Sequence, residues 1–252
     1  MELAYTMHES TADGTAVLLH SLALDGGVWE PLLDPLSRVR RLVVPDLRGH
    51  GKSPDSSDFT VEDMADDVAQ LCDDLGLDRV AVVGMSMGGT VAQALAVRRP
   101  DLVEALGLVD TTAWYGPDAP TAWAQRATEA RTEGLRALSD FQLTRWFSDE
   151  FRMANKELCL RLLDIFAAND LESYVSSCHA LGAADLREGL VGIDLPACVI
   201  VGELDEATPV SHAEDLHERL TRSTLNVIRG GKHLTPYERP DEVATILARL
   251  LA

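Results

Sequence analysis

This sequence predicts an α/β fold with a mostly parallel central sheet flanked by helices and interrupted by one helical insertion. Two observations predict the sheet and a third predicts the insertion. Short apolar runs alternate with amphipathic stretches through the first 110 residues, and the same alternation resumes after about residue 195. Between them, roughly Thr111 to Leu190, no convincing strand is found, yet this stretch holds Trp114, Trp123 and Trp146, three of the four tryptophans. The alternation is the rhythm of βαβ units.

Each element follows from its residues. Thr15 to His20 (TAVLLH), Arg41 to Pro45 (RLVVP), Arg79 to Gly84 (RVAVVG) and Val103 to Asp110 (VEALGLVD) are short, rich in Val and Leu, and bounded by turn or polar residues, as buried strands are. Ala197 to Gly202 (ACVIVG) and Thr224 to Arg229 (TLNVIR) extend the set. Thr60 to Leu75 sets Val61, Met64, Val68, Leu71, Cys72 and Leu75 at helical spacing, and its acids Glu62, Asp63, Asp66, Asp67, Asp73 and Asp74 fall largely elsewhere, on what reads as a solvated face. The expected organisation is a core from residues 1–110 and 191–252, with a helical cap at 111–190. Its aromatic enrichment suits a second small core, the apolar roof of a pocket, or both.

Charge narrows the partners. With 22 Lys and Arg against 41 Asp and Glu the formal net charge is −19. Such a surface repels phosphates and anionic headgroups over a Debye length of about 8 Å, so neither nucleic acid nor a membrane is expected, and small molecules are. No apolar run approaches the roughly 18 residues of a membrane span, and MELAYTMHESTADG lacks the basic-then-apolar pattern of a signal peptide; a cytoplasmic location is expected. Cys72, Cys159, Cys178 and Cys198 are far apart without a CxxC pair, which reads as buried free thiols rather than a metal site or a disulfide framework.

The sharpest chemical signal is Gly84-Met85-Ser86-Met87-Gly88-Gly89, a GxSxG lying between a strand and a helical run. A turn this tight needs nearly side-chainless residues two positions either side of the serine and presents its hydroxyl above the sheet edge. A serine hydroxyl is a poor nucleophile at neutral pH, so a base must reach it and a third group must fix that base's tautomer. Among seven histidines, His233 has the right place, after the last strand in Gly230-Gly231-Lys232-His233 and before a final helix near Tyr237 to Leu251. His212 and His217 read as surface residues of a helix, and His20 as a loop-organising residue. For the acid, Asp205 follows ACVIVG at the carboxyl edge of the sheet, where sites gather in open parallel sheets, and Asp110 at the end of the preceding strand is its rival. The oxyanion of an acyl transfer needs two backbone N–H donors, assigned to Met87 after the nucleophile and Leu22 after the first strand.

With Ser86, Asp205 and His233 in this order, the chain resembles the α/β-hydrolase superfamily over essentially its whole length. His20 followed by Trp29, and Asp46-Leu47-Arg48-Gly49-His50-Gly51-Lys52-Ser53, look like two recurrent N-terminal motifs of that superfamily. Within it the chain is most similar to 3-oxoadipate enol-lactonases, on Ser21-Leu22-Ala23-Leu24-Asp25, Arg145-Trp146-Phe147 and Cys178-His179-Ala180-Leu181 running to Asp185-Leu186-Arg187. It departs from them at Gly182-Ala183, where an Arg-Asp pair is common. The resemblance implies cofactor-free hydrolysis of an ester or lactone through an acyl-enzyme. The alternatives on the same three residues are carboxylesterase, C–C bond hydrolase or perhydrolase chemistry, and a ligand-binding module without activity is the reading from another class. An enol-lactone of this kind carries a carboxylate, which a chain of −19 would need a local cation to receive. Arg145 beside Trp146 is the candidate, against a surface arginine paired with Asp149 or Glu150.

Overall fold

The computed structural model describes residues 1–252. Seven strands form one sheet: β1 (Tyr5–His8), β2 (Thr15–Leu19), β3 (Arg41–Pro45), β4 (Val80–Met85), β5 (Val103–Val109), β6 (Ala197–Gly202) and β7 (Ser223–Ile228), in the order β1-β3-β2-β4-β5-β6-β7. All neighbours are parallel except β1 and β3. The six expected strands are present with ends shifted by at most one residue, and β1 is additional. Its mostly exposed residues lie at the sheet edge, so it lacks the apolar run that marks the buried strands. The chain runs from β2 outward to β3 and then returns to β4 on the other side of β2. The loops leaving β2 and β4 therefore part at a switch point, where a crevice opens at the carboxyl edge.

Helices cover both faces. Near the start lie α1 (Glu30–Ser37), α2 (Val61–Asp74) and α3 (Met87–Arg98). In α2 the apolar stripe is buried as expected, and the helix starts at a capping box: Thr60 Oγ1 accepts the Asp63 N–H at 3.1 Å while the Asp63 carboxylate accepts the Thr60 N–H at 2.8 Å. One acid departs from the solvated face. Asp67 is 3% exposed because Arg48 and the N-terminal amine close on it, at 2.5 and 2.6 Å. Between β5 and β6 come α4 (Ala119–Glu133), α5 (Ser139–Trp146), α6 (Asp149–Ala154), α7 (Lys156–Ala167), α8 (Leu171–Ala183) and α9 (Arg187–Leu190), with a single bridge, Trp114 to Asp185, as the only β pairing. After β6 follow α10 (Val210–Arg219), α11 (Thr235–Glu238) and α12 (Pro240–Leu251). The expected final helix is thus two: Pro240 has no N–H to donate and keeps Arg239 out of helical geometry, at φ −140°, ψ 54°. Strand and helix faces join in one apolar core, and all four cysteines are free and buried in it. No helix is long and apolar enough to cross a membrane.

Candidate active site

The turn from β4 into α3 places Ser86. Its backbone, at φ 53° and ψ −117°, lies in a region that residues with a side chain seldom occupy, so the surroundings must enforce it. They do so by contact. A Cβ on Gly84 would stand 2.2 Å from the Gly88 carbonyl oxygen, and one on Gly88 would stand 2.3 Å from the Leu19 carbonyl oxygen. The Ser86 N–H donates to the Val109 carbonyl, and the Ser86 carbonyl accepts the Thr111 hydroxyl at 2.7 Å. The elbow is clamped between the ends of β2 and β5, and the serine side chain is left free for other partners.

That partner is His233. Its Nε2 lies 2.9 Å from Ser86 Oγ and its Nδ1 2.7 Å from Asp205 Oδ2. An ionised carboxylate only accepts, so the Nδ1–H donates to Asp205 and Nε2 is left to accept the serine proton. Asp205 is held in turn by the N–H groups of Ala207 and Thr208 at 2.7 and 3.0 Å and by the Thr208 hydroxyl at 2.8 Å. Burial works against its charge, but the adjoining His233 and the His233 and Thr208 hydrogen bonds outweigh that and hold its pKa below the ordinary value. Asp110 stands apart from the imidazole: its carboxylate accepts the Gly202 N–H, the Thr235 N–H and the Thr235 hydroxyl, at 3.0, 3.0 and 2.7 Å. Burial, followed by the charge of Asp205, pushes its pKa up.

Of the two residues whose N–H groups are assigned to the oxyanion, Met87 follows the serine and opens α3, and Leu22, in the loop after β2, lines the same cavity as Ser86; neither amide is among the donors of the chain's own hydrogen bonds outside helices and strands. His20 shapes that loop. Its Nδ1–H donates to the Ser21 carbonyl at 2.8 Å and its Nε2 accepts the Leu47 N–H at 2.9 Å, an arrangement that needs the neutral ring and commits both nitrogens to the loop backbone. Ala23, at φ 58°, completes the bend. His217 is exposed as expected, whereas His212 is half-buried with its Nδ1 unpartnered, because the N-terminal turn of α10 packs towards the Asp205 loop.

Above Ser86 and His233 opens a cavity of about 370 Å³ roofed by α4 and α5, with Tyr115, Trp123, Phe141 and Trp146 in its wall. Arg145 lines it too. Its guanidinium lies over the Phe141 ring, 5.1 Å from the centroid, and donates to the Glu206 carbonyl at 3.4 Å. The surface pairing with Asp149 or Glu150 does not form; Asp149 pairs with Arg152 instead. The sequence reading missed a second cation, Arg126, which donates from Nε to the Tyr174 hydroxyl at 2.6 Å and stacks over Trp123 at 5.1 Å. Neither arginine has a carboxylate partner. Burial, and then the like charge of Arg126, push the Arg145 pKa below its ordinary value. Tyr115, also missed, has its phenol pushed up to about 12 by burial and then by the charge of Asp205. A signal for Arg126 was present: Trp123 and Arg126 are three apart on one helix, as Phe141 and Arg145 are four apart on another, so each aromatic shares a face with an arginine.

The sheet order, the strained elbow and the serine–histidine–aspartate chain define a hydrolase of the α/β type, and comparison with known proteins agrees. Residues 16–136 match the family described as alpha/beta hydrolase fold. The chain is 31% identical to a 3-oxoadipate enol-lactonase of Acinetobacter baylyi over 91% of its own length and 85% of the relative's. It is 29% identical to a pimeloyl-[acyl-carrier protein] methyl ester esterase of Yersinia pestis, over 96% and 94%. Its fold superposes on the crystal structure of the enol-lactonase from Burkholderia xenovorans with a TM-score of 0.94 at 33% identity, covering 99% of this chain and 96% of that one. The chain belongs to the α/β-hydrolase family.

Proposed function

We propose that this protein hydrolyses a carboxylic ester or lactone through an acyl-enzyme on Ser86, and that its substrate is an enol-lactone bearing a carboxylate. The observation that carries the reading is the continuous chain from Ser86 Oγ to His233 Nε2 at 2.9 Å and from His233 Nδ1 to Asp205 at 2.7 Å, at the floor of a cavity whose wall holds two arginines without acidic partners.

Ser86 Oγ attacks the carbonyl carbon as its proton passes to His233 Nε2. The imidazolium so formed is stabilised by Asp205, which remains ionised. The N–H groups of Leu22 and Met87 receive the oxyanion, and the start of α3 adds its dipole. His233 then returns the proton to the departing oxygen, which in a lactone stays tethered to the acyl chain. Water, activated by the same imidazole, releases the product. The helical segment 111–190 acts as the cap over the core formed by 1–110 and 191–252. Arg145 and Arg126 orient the carboxylate while Trp146 walls the ring.

A panel of enol-lactones, neutral aryl esters, carboxylate-bearing methyl esters and vinylogous diketones tests this. Turnover highest on the carboxylate-bearing enol-lactone, lost in Ser86→Ala, is the expected result. Preference for methyl esters or diketones would move the assignment within the family. An unmodified protein inert on every substrate and unlabelled by a fluorophosphonate would make it a binding module.

A further inference from the structure

Glu238, the last residue of α11, is 6% exposed and carries no cation of its own. Its neighbours Lys232 and His233 make their ion pairs elsewhere, with Glu206 at 3.9 Å and Asp205 at 2.7 Å. A buried carboxylate is tolerated only if donors replace its hydration. Three do, and they come from two different parts of the chain. Oε1 accepts the Ser148 N–H at 2.8 Å and the Ser148 hydroxyl at 2.7 Å, and Oε2 accepts the Lys232 N–H at 2.5 Å. Ser148 opens α6 of the cap; Lys232 immediately precedes the candidate base. Two further bonds run in parallel. The Leu234 N–H donates to the Trp146 carbonyl at 3.1 Å, and Lys232 Nζ donates to the Thr144 carbonyl at 2.8 Å. The residues on both sides of His233 are thus tied to positions 144, 146 and 148, the segment whose Arg145 and Trp146 line the cavity. Of the other ties of the cap, Arg145 to the Glu206 carbonyl lies beside Asp205, whereas Ser173 and Ser176 of α8, which accept the N–H groups of Ser56 and Asp58, each at 3.0 Å, are not bonded to the His233 loop.

We propose that Glu238 is a positioning residue that locks the His233 loop to the cavity-lining rim of the cap through Ser148, so that the placement of the base and the shape of the binding wall are set together. The proposal rests on the serine-hydrolase reading above. It implies that a change on the cap side of the bridge slows chemistry at Ser86 even for a reagent too small to fill the cap.

The test uses two variants and a control, read by the rate at which a small methyl fluorophosphonate labels Ser86, by kcat and KM on a small acetate ester, and by Tm. In Glu238→Gln the amide oxygen turns to the two Ser148 donors, and its NH2 is left facing the Lys232 N–H, so the base side of the bridge is broken. Labelling rate and kcat are expected to fall about 10-fold or more with KM little changed, as a small misplacement of a reacting group produces. Ser148→Ala, which removes one cap-side donor and keeps the backbone one, is expected to lower both in the same direction by less. Ser176→Ala, which removes the cap's tie to the Asp58 N–H, is expected to leave both unchanged. If the bridging variants alter only Tm, or only KM for substrates that fill the cap, with labelling at the rate of the unmodified protein, the proposal is overturned. If Glu238→Gln does not fold, Ser148→Ala decides alone, a slower labelling supporting the link and an unchanged one overturning it. An unmodified protein that is not labelled at all would overturn the serine-hydrolase reading and this proposal with it, an outcome separate from normal labelling with indifferent variants.

Discussion

Holding Ser86 at φ 53° costs on the order of 1–3 kcal/mol, and the fold meets that cost with two glycines where any side chain would collide with backbone. The strain aims one hydroxyl at His233, so Ser86→Ala is expected to give a folded protein whose hydrolysis is lower by a factor on the scale of 10⁶. Comparable turnover in that variant, with the fold checked by circular dichroism, would remove Ser86 from the site. The two buried aspartates separate by what they touch. Asp205 accepts from the imidazole, so Asp205→Asn presents the wrong tautomer to Ser86 and is expected to cost roughly 10⁴ in kcat. Asp110 instead ties the end of β6 to α11 through Gly202 and Thr235, so Asp110→Asn is expected to cost far less turnover and to show mainly as a lower Tm. Kinetics of the pair in reverse order would move the acid by one strand.

Two helices, α4 and α5, each bring to the cavity one arginine stacked on an aromatic and unpaired with any acid. Losing a hydrogen bond between charged groups costs about 1.5–3 kcal/mol, so Arg145→Ala or Arg126→Ala is expected to lower kcat/KM by roughly 10-fold or more for a carboxylate-bearing lactone and to leave a neutral aryl ester nearly unaffected. Equal losses on both substrates would show that the arginines support the cap alone. Element scale is also where the sequence was most and least legible. Buried parallel strands such as ACVIVG and RLVVP announce themselves as apolar runs, and the elbow announces itself because its steric demand admits only glycine at fixed offsets. Asp205, His233 and Leu22 were legible by position, each following a strand at the same sheet edge. What escaped depends on packing between distant segments. β1 is marked only by its antiparallel pairing with β3, Asp67 is buried by Arg48 and the amino terminus, and Arg126 gains its place when α4 closes over the serine. No local pattern encodes those meetings, although the paired aromatic–arginine spacing on α4 and α5 was available to be read.

At the scale of the whole molecule the net charge of −19 sets how stability responds to pH and salt. Self-repulsion among acids disfavours the compact state at neutral pH, and physiological salt screens it beyond about 8 Å. Asp205, Asp215 and Asp185 have native pKa values below 3.8: in Asp205 because His233 and Thr208 outweigh burial, in the other two chiefly through hydrogen bonds from Arg219 and Arg187. A depressed native pKa means that the stabilisation is fully present above 3.8 and is lost as the pH falls through the native value. Asp110 has the opposite sign: its raised value makes its charged form a cost, relieved as the pH falls through that value. Relief of repulsion and the protonation of Asp110 therefore act in the same direction as the pH falls, while the paired aspartates hold until the pH passes below 3.8. Tm is expected to rise on going from pH 7 into mild acid, to fall steeply below about 3.8, and at pH 7 to rise with added sodium chloride. Asp110→Asn, which has no proton to take up, is expected to show a shallower rise on the acid side. A Tm that is highest at pH 7 and drops steadily with acid, or that is indifferent to salt at pH 7, would mean that local pairing dominates the charge balance and that the acidic surface places no load on the fold.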